Sequence, residues 1–156
     1  AVVAPCSLYF GCRSPDADWY YRSEFEAMAA EGTLERYRTA FSREEEEEEE
    51  GEEGEDGKEG GSGKKKKTMK PKRYVTHLLR EDASQLWPLL SPSTTDSTLL
   101  LPATVVVSGS AKNMPRDVQL VFEEIAAEKG GLGLEGGKAF VRRMVSAGRY
   151  FVEAWS

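Results

Sequence analysis

Three short clusters hold the side chains with the most evident chemistry: Gly11-Cys12-Arg13, Ser42-Arg43, and the run from Ser108 to Met114. Arginine's planar guanidinium matches phosphate oxygens two at a time, and a serine hydroxyl beside it adds a donor. Ser42-Arg43 therefore reads as an anion-binding pair, weak alone because the dipeptide is common. Lys72 and Tyr74 strengthen it if the residues between loop out, lysine adding charge and tyrosine a flat face for a base such as adenine. Trp155, after Phe151 and Val152, is either a core plug or a ring that covers a flat cofactor. The residues alone leave both readings open.

Other chemistries find no support. His77 is the single histidine, with no serine or cysteine arranged as its nucleophile, so no catalytic triad can be argued. Cys6 and Cys12 do not have zinc-ligand spacing, no metal site is expected, and two cysteines on one strand should not bridge, which points to a reducing compartment. Gly131-Leu-Gly133-Leu-Glu-Gly136 fits G-x-G-x-x-G, but a helix precedes it where the phosphate-binding fingerprint needs a strand. It reads as an inter-helix turn. The four lysines at 64–67 resemble a polyanion patch, yet they adjoin an acidic tract and read as self-neutralising.

The elements that must position these clusters follow from periodicity. Residues 7–12 read as a short buried strand. Asp18 is placed to cap a helix over 19–31, with Gly32 after it. Residues 34–41 form a second strand. Leucines from 78 to 90 mark a helical region, with Ser84 as a cap and Pro88 near a first turn. Residues 104–108 are the strongest strand, β-branched and apolar. Pro115 suits a first helical turn, and Val118, Val121, Phe122 and Ile125 make an i, i+3, i+4, i+7 stripe. A glycine-rich break at 130–137, a helix over 138–146 and a last strand over 149–155 close the chain. Strands alternating with helices imply a parallel sheet, in which ligands bind at the carboxyl ends of the strands. The three clusters fall there.

The chain has 156 residues, 39% hydrophobic and 31% charged, enough for about one domain with a core. Residues 44–67 hold 12 acidic and five basic side chains, a net of −7 against −6 for the whole chain, so the remainder carries +1. The acidic character belongs to that tract. With almost nothing apolar, residues 44–70 are expected to be a disordered insert between a first part, 1–43, and a second part, 71–156. No stretch approaches a membrane span, and no signal peptide is visible. The first residue is Ala rather than Met, so a fragment is expected.

Read together, Leu8-Tyr-Phe-Gly-Cys-Arg13, Ala40-Phe-Ser-Arg43, Lys72-Arg-Tyr-Val-Thr-His77, Ser108-Gly-Ser-Ala-Lys-Asn-Met114 and Arg149-Tyr-Phe-Val-Glu-Ala-Trp-Ser156 resemble the diflavin reductase family. The five motifs occur in that family's order over 7–43 and 72–156. The resemblance implies the C-terminal part of a Rossmann-like, ferredoxin–NADP reductase-type NADP-binding domain. Its α/β sheet would lack its first central strand, and with it the Gly-Pro-Gly-Thr-Gly loop. It implies an oxidoreductase in which NADPH reduces FAD, and FMN passes electrons singly to an acceptor protein. The fragment alone would be inactive. Ser42, Arg43, Lys72 and Tyr74 would hold the 2′-phosphate and adenine. Arg13 and the 109–114 turn, with Gly109, Lys112 and Met114, would approach the rest of the nucleotide. Trp155 would stack on the flavin, with Glu153 near hydride transfer. Ser108 stands where the family often has a cysteine that aids the transfer, Ser110 where it often has Asp, and Glu153 where P450 reductases have Asp. Glu153, and Pro115 after Met114, look more like the NADPH-dependent diflavin oxidoreductase branch. That branch is cytoplasmic and supplies iron–sulfur cluster assembly. A P450 or sulfite reductase-type partner is the alternative within the same chemistry. A truncated interaction protein with an acidic insert is the alternative outside it. No nucleic-acid partner is expected.

Overall fold

The computed structural model describes residues 6–43, 45–48, 66–92 and 101–155. It divides into two compact units, Ala1–Tyr74 and Val75–Ser156.

In the first unit β1 (Ser7–Cys12) is followed by α1 (Arg22–Ala30) and β2 (Arg36–Phe41). The two strands pair in parallel, from Ser7↔Arg36 to Cys12↔Phe41. Aromatic rings fasten the helix to the pair: Phe25 lies 5.8 Å from Phe10 and 5.7 Å from Tyr37. Trp19 meets Phe41 edge-on at 5.1 Å and donates its indole N–H to the Tyr37 hydroxyl at 2.7 Å. β1 is half-buried rather than buried as expected, because the ladder to β2 is its one pairing among the described residues.

Helix α1 starts later than its sequence suggests. Its cap position is Tyr21, at a left-handed φ of +58°, with no side-chain capping bond. Asp18 turns instead to the loop after β1, and the role expected for it at the helix is lost to nearer donors. The ends of the insert also differ from expectation. β3 (Glu45–Glu48) and β4 (Lys66–Met69) pair antiparallel from Glu45↔Met69 to Glu48↔Lys66. The returning chain is pinned to the end of β2, where the Arg73 N–H donates to the Phe41 carbonyl at 3.0 Å. The insert's two ends must therefore meet, and a backbone ladder satisfies their polar groups. The middle of the expected disordered segment, 49–65, lies outside the described residues.

The second unit opens with α2 (Val75–Glu81) and α3 (Ala83–Leu90), then β5 (Val105–Ser110), α4 (Met114–Glu128), α5 (Gly133–Ser146) and β6 (Tyr150–Trp155). The expected stripe is its core: Val118, Val121, Phe122 and Ile125 are all buried, with Ala126, Phe140, Val141 and Met144 from the same helix pair. Pro115 sits in the first turn of α4, where a missing N–H costs nothing. Pro88 lies inside α3, not in its first turn, and Asp82 rather than Ser84 holds the cap position. Helix α5 begins five residues before the expected Lys138, running through Gly136 and Gly137. Packing explains this: a Cβ on Gly137 would fall 2.3 Å from the Glu123 carbonyl oxygen, so the glycine lets α5 touch the backbone of α4. β5 and β6 pair in parallel, Val105↔Tyr150 through Ser110↔Trp155. Val107 and Tyr150 point to the buried side, where Phe122 meets Tyr150 edge-on at 5.9 Å.

Candidate functional site

The carboxyl ends of β1 and β2 lie side by side because the strands are parallel, and this joins two of the sequence's clusters. The Arg43 N–H donates to the Arg13 carbonyl at 2.7 Å, and the Ser42 N–H to the Cys12 carbonyl at 3.1 Å. The Ser42 hydroxyl lies 3.5 Å from that same Cys12 oxygen. The Arg73 bond to Phe41 lays residues 70–74 against the end of β2. Backbone geometry thus gathers Arg13, Ser42, Arg43, Lys72, Arg73 and Tyr74 within one unit. Arg43 and Lys72 are exposed, and so is Tyr74. A cavity of about 420 Å³ adjoins them, lined by Thr39, Phe41, Lys70, Pro71 and Arg73. Its walls are the sequence neighbours of Lys72 and Tyr74 rather than those residues themselves.

The turn after β1 is organised by Asp18. One carboxylate oxygen accepts the Arg13 N–H at 2.8 Å and the Ser14 N–H at 3.0 Å. The other accepts the Arg13 Nε–H at 3.0 Å. The Ser14 amide, followed by Arg13, holds the Asp18 carboxyl below the usual carboxylate range. Burial, then the Asp18 charge, pushes the Cys12 thiol up to about 11, so it is a packed thiol and not a reactive one. Asp18 was read from the sequence only as a helix cap. A Ser-Pro-Asp-Ala-Asp run after a strand-end arginine is the signal that could have found it.

In the second unit the strand ends bring together the other cluster. Ser108 stands opposite Glu153, Gly109 opposite Ala154, and Ser110 opposite Trp155. Side chains alternate along a strand, so Ser108, Ser110, Glu153 and Trp155 share the face turned away from α4. The Ala111 N–H donates to the Trp155 carbonyl at 2.8 Å and ties the last strand to the 109–114 turn. Gly109 has φ +153°, and a Cβ there would meet the Met114 methyl at 2.5 Å. Lys112 is exposed in that turn, and Met114 begins α4. Trp155 is 61% exposed, so it plugs no core formed by the described residues. Gly131, in the link between α4 and α5, and Gly133, the first residue of α5, are both at left-handed φ, and they join two helices rather than a strand to a helix as a phosphate loop does.

No protein-family model matches the chain. Among curated proteins it is similar to NADPH–cytochrome P450 reductases along nearly its whole length. Identity is 34% with that of Cavia porcellus, 32% with that of Homo sapiens and 31% with that of Salmo trutta, each over 154 residues. These matches fit a fragment of the diflavin reductase family. The match takes in 99% of this chain but only 18% of the guinea-pig and human proteins and 20% of the trout protein. The chain is thus similar to a segment about a fifth as long as those relatives. Two parallel strand pairs packed with helices make it α/β, compatible with a piece of a Rossmann-like domain of such a reductase.

Proposed function

We propose that this chain is the NADPH-binding portion of a flavoprotein oxidoreductase that passes electrons from NADPH through FAD and FMN to an acceptor protein. The supporting observation is the tie between Arg43 and Arg13 at the paired strand ends, which puts two guanidinium-bearing residues and Ser42 at one place. Arg43, Ser42 and Lys72 would hold the 2′-phosphate, and Tyr74 the adenine. Arg13 and the 109–114 turn would meet the rest of the nucleotide. The residues fit such a ligand: the gathered cations suit its phosphates, and the adjoining cavity is within the size range of small-molecule sites. When bound, NADPH supplies a hydride. Ser108, Glu153 and Trp155, which share one sheet face, would orient the receiving group and exclude water from it.

The acceptor is a finer matter. Glu153, and Pro115 after Met114, favour the branch that serves iron–sulfur cluster assembly in the cytoplasm. The similarity to NADPH–cytochrome P450 reductases favours a cytochrome P450 as acceptor. Among the described residues, no helix is long and apolar enough to cross a membrane. The test of the nucleotide assignment is Arg43→Ala in the complete gene product. Loss of a hydrogen bond to a charged group costs about 1.5–3 kcal/mol, roughly ten- to a hundredfold in affinity. NADPH should weaken by that factor while NADH is spared. Equal losses for both would overturn the assignment.

A further inference from the structure

We infer that Asp18 is the positioning residue of this anion site, fixing the Arg13 guanidinium directly and the Arg43 backbone through the Arg13 carbonyl. The inference rests on the nucleotide reading above and deepens it.

Asp18 makes no capping bond to α1, whose cap is Tyr21, so its carboxylate is committed to the β1 turn. Its side chain is 15% exposed, against 64% for Arg13. The inner partner is therefore the fixed one and the outer partner is the one it aims. Of the guanidinium nitrogens it is Nε that donates to the carboxylate, at 3.0 Å. An arginine held at Nε keeps its two terminal amino groups directed along the side chain, the edge that grips a phosphate end-on. The same carboxylate fixes the Arg13 backbone through two amide bonds, and the carbonyl of that residue receives the Arg43 N–H at 2.7 Å. One group thus sets the geometry of both arginine-bearing segments.

A negative charge beside an anion site is otherwise a cost. An amide oxygen at position 18 could still accept the two backbone N–H bonds. The guanidinium bond needs the second acceptor oxygen, and this gives a variant that separates the two roles. Asp18→Asn keeps an oxygen for the Arg13 and Ser14 amides and loses the pairing with Nε. Asp18→Ala loses both.

The test is calorimetric binding of 5′-ADP and of 2′-AMP to the complete gene product, with melting temperature on the same preparations. Asp18→Asn should weaken 5′-ADP, the probe of the Arg13 end, by about three- to tenfold, while 2′-AMP changes by less than about twofold. Asp18→Ala should weaken both. In an Arg13→Ala background, Asp18→Asn should have no further effect on 5′-ADP. Unchanged 5′-ADP binding by Asp18→Asn would overturn the inference. So would equal loss of both probes accompanied by a lower melting temperature, the mark of a merely structural carboxylate. Failure of the unsubstituted protein to bind 2′-AMP would instead sink the nucleotide reading on which the inference stands.

Discussion

Replacing Gly137 with alanine separates a packing role from a phosphate-binding one for the glycine-rich run. Gly137 is buried where α5 crosses α4. A Cβ there would lie 2.3 Å from the Glu123 carbonyl oxygen and 3.1 Å from both the N and the Cβ of Ala127. Ordinary contact begins near 3.4 Å, and two of these three atoms are backbone, so α5 would have to move off α4 by roughly 1 Å. The shift would loosen Phe140, Val141 and Met144 against Val121, Phe122, Ile125 and Ala126, all buried. Overpacking costs about 1–3 kcal/mol, and a clash this close with backbone atoms belongs to the upper half of that range, about 2–3, while the gain in helix propensity from glycine to alanine returns about 1. A net loss of about 1–2 kcal/mol remains. Gly136→Ala is the control, since its Cβ would meet the Leu132 Cβ, at 2.8 Å, and no atom of α4. It should cost less than Gly137→Ala, because Leu132 is exposed in the link before α5 and can shift without moving α4. Urea unfolding of both variants reads the difference, with NADPH affinity measured in parallel. If Gly137→Ala is as stable as the parent, or if either variant weakens NADPH by a large factor without losing stability, the packing account is wrong.

Two further outcomes are expected. Tyr150 is a buried phenol whose hydroxyl has no hydrogen-bond partner among the described residues. Burial, then the Glu123 charge, pushes its pKa up to about 12 from 10.0. The fold keeps the phenol neutral, so this contribution to stability is whole below pH 10 and is lost as the pH rises toward 12. Tyr150→Phe should remove that alkaline slope and at pH 7 be neutral or stabilising by up to about 1 kcal/mol, because an unsatisfied polar group is removed. A loss of more than about 1 kcal/mol would show a partner that the fold does not reveal. Trp155, 61% exposed at a strand end, contributes little to the core. Trp155→Ala should leave the melting temperature nearly unchanged and raise kcat/KM for NADH relative to NADPH, and a fallen melting temperature with an unchanged ratio would return it to the core.

What the sequence revealed follows from which signals are local. The apolar stripe from Val118 to Ile125 is periodic over two turns, and every member is buried. Pro115 marked the start of α4 because a proline fits there at no cost. The meeting of Arg13 with Ser42-Arg43 was legible for a topological reason: each follows a strand, and parallel pairing places both strand ends together. The misreadings were tertiary. Glycine density between 130 and 137 predicts a break, yet contact with the α4 backbone makes Gly137 part of a helix. The 45–48 and 66–69 strands carry no apolar pattern and exist because the returning chain is fixed at Phe41. Trp155 was undecided because a terminal aromatic has the same sequence in a core or on a face.

Asp18 shows most directly why the site was harder to read than the fold. A carboxylate just ahead of a helix and one that closes a strand-end turn have the same local sequence. The choice between them depends on where three donors lie, and here the Arg13 amide, the Ser14 amide and the Arg13 Nε are all within 3.0 Å. Those donors reach Asp18 because β1 ends at Cys12 and the chain reverses through Pro15 before α1. β2 must then end beside β1 for the Arg43 N–H to find the Arg13 carbonyl. Sequence pattern supplies the types of group that can bind a phosphate, an arginine fork, a hydroxyl and a lysine. Their joint geometry comes from the parallel register, from Ser7↔Arg36 to Cys12↔Phe41, which no single segment encodes. A one-residue slip in that register would separate Arg43 from Arg13 while leaving every residue type in place. The proposed nucleotide site therefore depends on the pairing of β1 with β2 as much as on any one cation.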